Sequence, residues 1–138
     1  MKAIVFSILI LALCSTPSFA ADKIKLPATA KLLLKSEIMA LYDGKAYSWA
    51  HPNTDNGNGT TTFISTSSTI SGTYNVGGNK GDWEGKITWK GDQYCFQTRA
   101  KGGKKFDPKQ CNLVYLDGKT AYEVNPKTKK VMSVNNPL

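Results

Sequence analysis

A histidine-centred catalytic triad in this 138-residue chain would have to use His51, its one histidine. A triad built on it would need an activated hydroxyl nearby. Ser48 and the many other serines and threonines sit in ordinary strand or loop contexts, and no Gly-x-Ser-x-Gly elbow occurs. A loop histidine ahead of Pro52 is the plainer reading. The run Asn53-Thr54-Asp55-Asn56-Gly57-Asn58-Gly59 invites a calcium-loop reading. Asp55 is its only carboxylate, however, and Ile64 stands where the EF-hand pattern requires an acid. Asn and Gly at this density signal turns. Asp82 and Glu84 would share a strand face as a carboxylate pair does, but Lys86 and Lys90 beside them favour a solvated charged face. The expectation is a protein without a catalytic centre, metal or cofactor, and a hydrolase is kept only as a minor alternative.

Aromatic side chains are the stronger candidates. Trp49, Tyr74, Trp83, Trp89, Tyr94, Phe96 and Tyr122 could line a ligand cavity if a barrel is wide enough, or could fill its core, the commoner role in so small a domain. Lys101, Lys104 and Lys105 form one basic cluster and Lys127, Lys129 and Lys130 another, both in loop-like sequence. Exposed solubilising turns explain them, and an anion-contact rim is the functional alternative.

Residues 1–20 read as a secretory leader. Lys2 precedes an uncharged apolar run from Ala3 to Cys14, and Ser18-Phe19-Ala20 places small residues at a cleavage site. That run is shorter than the roughly 20 residues a membrane-spanning helix needs. Leu13 before Cys14 is too large for a lipidation site. The expected mature chain is a single domain from Ala21 to Leu138, periplasmic or secreted, with no transmembrane segment. Cleavage removes Cys14 and leaves Cys95 and Cys111, for which an oxidising compartment makes a disulfide the default. The loop it closes is short, and the bond should contribute about 3 kcal/mol.

The net charge is +8, carried almost wholly by lysine with Arg99 as the only arginine. Nucleic-acid binding normally shows arginine forks, aromatic platforms and a dense basic stripe, so it is not expected. Weak attraction to anionic envelope material is the more plausible partner chemistry. Inhibition of a basic lysozyme is disfavoured, because like charges slow docking.

Residues 21–27 read as a loose arm, and the spacing of Leu34, Ile38, Leu41 and Tyr42 predicts a helix over 28–43 that stops at Gly44, with Ser36 a candidate cap within it. From Lys45 onward the period changes to two. Strands are expected at 46–49, 60–66, 69–76, 82–90, 93–99, 110–116, 119–124 and 130–134. His51–Gly59 and Gly77–Gly81 read as the loops between them. Trp83, Gly85, Ile87 and Trp89 share one face, and a Gly91-Asp92 turn would set Trp89 against Tyr94 and Ile87 against Phe96. A turn at Asp117-Gly118 would align Leu113 with Tyr122 and Tyr115 with Thr120. Cys95 then points away from the Tyr94/Phe96 face while Cys111 lies with Leu113 and Tyr115, a conflict that a bulge at Gly91, or bridging near a twisted strand end, would relieve. Such a pattern predicts a mainly β fold. An antiparallel up-and-down meander of seven to eight strands would curl into a small barrel or curved sheet, with the helix over one opening. A two-sheet sandwich is the alternative.

The run Ser36-Glu37-Ile38 to Leu41-Tyr42 with Gly44-Lys45, then Gly72 and Tyr74, Gly81-x-Trp83, Tyr94-Cys95 and Cys111, resembles the small exported proteobacterial proteins grouped as domain of unknown function 995. The likeness covers roughly Ser36 to Val124, and the Asn/Gly loop at Pro52–Gly59 departs from it. It implies export and a β fold and carries no activity. The function expected is non-enzymatic binding of a small apolar ligand or an envelope component, with a protein-interaction or structural envelope role as the alternative.

Overall fold

Two-residue glycine turns set the registers from which the sheet is built. Gly91-Asp92 brings Lys90 opposite Gln93, so Trp89 faces Tyr94 and Ile87 faces Phe96 as the alternation required. Gly77-Gly78, both with positive φ (57° and 85°), bring Val76 opposite Asn79. That turn is therefore shorter than the expected Gly77–Gly81, and the strand after it begins earlier.

The computed structural model describes residues 23–138, and the leader and its cleavage site lie outside the described residues. In chain order the elements are β1 (Lys31–Leu32), α1 (Lys35–Tyr42), β2 (Ala46–Ala50), β3 (Asn58–Ile64), β4 (Thr69–Val76), β5 (Asn79–Lys90), β6 (Gln93–Ala100), β7 (Gln110–Asp117), β8 (Thr120–Val124) and β9 (Val131–Pro137). From β2 to β9 each strand is antiparallel to the next, and β9 pairs back onto β2. Eight strands thus close into an up-and-down barrel in which the first and last strands, β2 and β9, pair with each other. β1 is the extra strand, hydrogen-bonded to the end of β7.

The helix is shorter than the sequence suggested. Leu32 is drawn into pairing with Tyr115, and helix begins only after Leu34, whose N–H donates to the Glu37 carboxylate at 2.8 Å. Glu37, rather than Ser36, satisfies the helix start, and this bond holds its carboxyl below the usual range. Leu34 accordingly stays exposed while its neighbour Leu33 is buried. At the other end Gly44 turns with φ 68° and donates to the Phe63 carbonyl, and Asp43 accepts the Ser65 N–H. Those bonds stitch α1 across one end of the barrel, where Ile38 and Tyr42 pack with Phe63, Ile70, Ile87, Tyr94, Val114 and Ala121.

The β7–β8 register also differs from expectation. Gly118 takes the first turn position with φ 59°, so the loop is Gly118-Lys119 and Asp117 faces Thr120. Tyr115 therefore opposes Tyr122 and Leu113 opposes Val124. Asn112, Val114 and Leu116 point into the barrel, and Cys111, Leu113 and Tyr115 point out. This resolves the cysteine conflict without a bulge: Cys95 and Cys111 are directly opposite on the outer face and form a disulfide. The last strand runs to Pro137 rather than 134, and β3 starts at Asn58 inside the expected loop.

One irregularity in the β3–β4 ladder shapes the interior. At the facing pair Thr60 and Thr73, each amide donates to the other residue's hydroxyl at 3.2 Å instead of to its carbonyl. The freed carbonyls turn inward and accept indole N–H bonds, Thr60 from Trp49 at 2.9 Å and Thr73 from Trp83 at 3.0 Å. Gly59 and Gly72 lie under these carbonyls. A methyl group on Gly72 would coincide with the Thr60 oxygen, and one on Gly59 with the Thr73 oxygen.

Gly72→Ala should therefore cost about 2 kcal/mol or more, within or above the usual overpacking range, measured by urea unfolding. Its tryptophan emission should shift as the indoles leave their carbonyls, and a variant as stable as the parent with unchanged emission would contradict this account.

Candidate functional site

Strand alternation and the plug of α1 leave the barrel filled at the helix end and hollow above it. The cavity has a volume of about 580 Å³ and opens at the opposite end, among the connections at 51–57, 77–78, 101–109 and 125–130. This volume is in the range of small-ligand sites.

Its wall is aromatic. Trp49 from β2, Tyr74 from β4, Trp83 from β5 and Phe96 from β6 line it, and Tyr94 forms the boundary with the packed end. The indole hydrogen bonds hold Trp49 and Trp83 along the β3–β4 wall, where Gly59 and Gly72 carry no side chain to push them inward. Five of the seven aromatic candidates thus meet in one cavity. Trp89 does not join them. It lies at the helix end, edge-on to Tyr94 and beneath the Lys35 ammonium. Tyr122 is on the outer face of β8, because the Gly118-Lys119 turn puts Ala121 and Glu123 inside instead.

The other side of the lumen is polar, and the sequence reading had missed it. Glu123 is 8% exposed and lines the cavity with Ser133 and Asn135. Asn112 donates to one carboxylate oxygen at 3.2 Å and Asn135 to the other at 3.4 Å. Among the described residues no lysine, arginine or histidine pairs with it. Burial pushes its pKa up to about 7, partly opposed by the two asparagine bonds. Tyr42 and Tyr94 face the same space. Burial first, then the Glu123 charge, holds both phenols well above their ordinary range. The Tyr42 hydroxyl, on a residue 4% exposed, has no hydrogen-bond partner among the described residues. Buried polar atoms are rarely left so. The signal for Glu123 was present in the sequence, because Ala121-x-Glu123 alternates inward once Gly118 is given the first turn position.

His51 sits at the mouth, its ring 4.5 Å from that of Trp49 and its Nδ1 3.1 Å from Asp55. Among the described residues no serine or threonine hydroxyl bonds to it. Asp55 also accepts the Gly57 N–H, and Asn53 ties the loop to the arm through both backbone groups of Ile24. The Asn/Gly run is thus a hydrogen-bonded turn, and no three His, Cys, Asp or Glu side chains converge as metal ligands among the described residues. Asp82 and Glu84 do point outward, and Glu84 pairs with Arg99 at 2.6 Å. Lys101, Lys104 and Lys105 are exposed on the 101–109 connection beside the mouth and do not line the cavity. Phe106, held under Lys86 and Arg99, fixes that connection to the barrel's outer face.

Glu123 makes folding pH-dependent with a definite sign. Its carboxyl ionises near 4.5 when unfolded and near 7 in the barrel, so its contribution is fully present below the lower value and is lost as pH rises through the upper one. The loss should amount to about 3 kcal/mol. Urea unfolding across this window should show it, and Glu123→Gln should flatten the slope; a parent and variant with parallel profiles would refute the buried charge.

Comparison of the chain with known protein families, with curated proteins and with solved structures finds no match in any of the three.

Proposed function

We propose that this protein is a binding protein for a small, largely apolar ligand held inside the barrel. The observation that carries the reading is the cavity of about 580 Å³ walled by Trp49, Tyr74, Trp83 and Phe96 and sealed at one end by α1. Eight-stranded barrels are wide enough to hold one small ligand when their side chains leave the lumen open. Flat aromatic faces give such a ligand a large desolvated contact at little cost in conformational freedom. The catalytic alternative has less to stand on, since His51 is engaged by Asp55 and stacked beside Trp49 at the rim. Export to the periplasm or beyond, and kinship with domain of unknown function 995, belong to the same proposal and agree with a disulfide-bonded barrel.

Trp49 and Trp83 report on the site directly. Titration of the purified protein with small apolar aromatic compounds should change tryptophan emission saturably, and Trp83→Phe should weaken binding about threefold to tenfold, the usual scale for one aromatic contact. Native mass spectrometry after gentle extraction should show a retained mass. Non-saturable emission changes together with a bare polypeptide mass would overturn the reading.

A further inference from the structure

We infer that the ligand carries an amine, and that its ammonium group lies at the polar side of the cavity against Glu123 and the Tyr42 hydroxyl. The inference rests on the ligand-binding reading above and names the head group that this site selects.

Two independent features point there. Glu123 is a buried carboxylate that opens onto a ligand-sized space, and its only hydrogen-bond partners among the described residues are the neutral amides of Asn112 and Asn135. Each oxygen takes one of these bonds and keeps acceptor capacity for another. Tyr42 lines the same cavity, and its hydroxyl is buried and has no partner among the described residues. A buried carboxylate without a counter-charge and a phenol without a bond are both costly, and one donor group inside the lumen would relieve both.

The charge of that donor follows from the surroundings. The other charged side chains at the cavity's edges are engaged: Lys45 donates to the Ala40 carbonyl, Arg99 pairs with Glu84, His51 bonds to Asp55, and Asp107 accepts the Thr98 hydroxyl. An anionic head would therefore meet the Glu123 charge with nothing to offset it. A neutral hydroxyl could donate to Glu123 but would leave the carboxylate uncompensated. An ammonium pairs with the carboxylate, donates to the phenol oxygen, and gains from the faces of the aromatic wall. The protein's positive charge does not oppose this locally, because the lysine clusters at 101–105 and 127–130 stand on exposed connections outside the lumen.

Phenylbutylamine and phenylbutanol differ only in the head group and test this on the whole processed chain by calorimetry at about pH 8, where Glu123 is ionised. The amine should bind at least about tenfold more tightly, the scale of one charge-assisted bond. Glu123→Gln should abolish that preference by weakening the amine far more than phenylbutanol. Tyr42→Phe should raise the stability of the unliganded protein yet weaken the amine, which a purely structural phenol would not do. Should Glu123→Gln fail to fold, the parent at about pH 5 serves instead, because Glu123 is then protonated while the amine keeps its charge. Of the groups facing Glu123, Tyr42 from α1 and Tyr94 from β6 do not titrate in this interval, and the asparagines of β7 and β9 carry no charge. His51 lies at the rim, bonded to Asp55. Equal or tighter binding of phenylbutanol, or a preference that survives both loss and protonation of the carboxylate, would overturn the inference while leaving the cavity reading intact. Binding of neither probe would overturn both.

Discussion

The hydrogen-bond exchange at Thr60 and Thr73 is the constraint on which the hollow interior depends. An ordinary ladder pair would consume both carbonyls, and the indoles of Trp49 and Trp83 would then have to find partners elsewhere or project into the lumen. Because the threonine hydroxyls take over the amides, the carbonyls are released inward and hold each indole along the wall. The two glycines are required by the same arrangement, since any side chain there would occupy the space of the turned carbonyls. Local backbone chemistry in two strands thus determines whether the barrel is a solid core or a container.

The helix end supplies the complementary half of the design. α1 is short and could not persist alone, but the Glu37 cap, the Gly44 reversal and burial of Ile38 and Tyr42 hold it in the barrel opening. Packing there buries Tyr42 beside a cavity that Glu123 also lines. An ionised carboxylate in this position opposes folding, and two asparagine bonds compensate only part of its lost hydration. The disulfide between β6 and β7 helps to offset such a cost at a distance from it. A destabilising group beside an open, largely apolar space is what a site for a complementary ligand would hold, and that is the physical basis of the proposed amine recognition.

Much of this fold was legible in the residues, and what was not has identifiable causes. The β5–β6 hairpin could be read to single-residue register because Gly91 precedes Asp92 and the strand before it sets Trp83, Ile87 and Trp89 on one face against polar residues on the other. The β7–β8 hairpin could not, because Asp117-Gly118-Lys119 offers glycine to either turn position and both faces of β7 carry apolar residues. That one-residue ambiguity put Tyr122 inside and concealed Glu123, so half of the candidate site turned on it. The helix was overextended because Leu32 and Leu33 fit a helical stripe equally well, and only pairing with β7 makes them extended. The unpaired Tyr42 hydroxyl and the Thr60/Thr73 exchange depend on contacts between distant segments, which no local pattern encodes.

A carboxyl-carbon NMR titration of Glu123 tests the central claim most directly, because it reads the buried, uncompensated charge at the site itself. A midpoint near 7 in the free protein, moving downward when phenylbutylamine is bound, is the result this account requires. A midpoint close to the ordinary 4.5 in the free protein, unmoved by the amine, would show that the carboxylate is already solvated or paired and would contradict it.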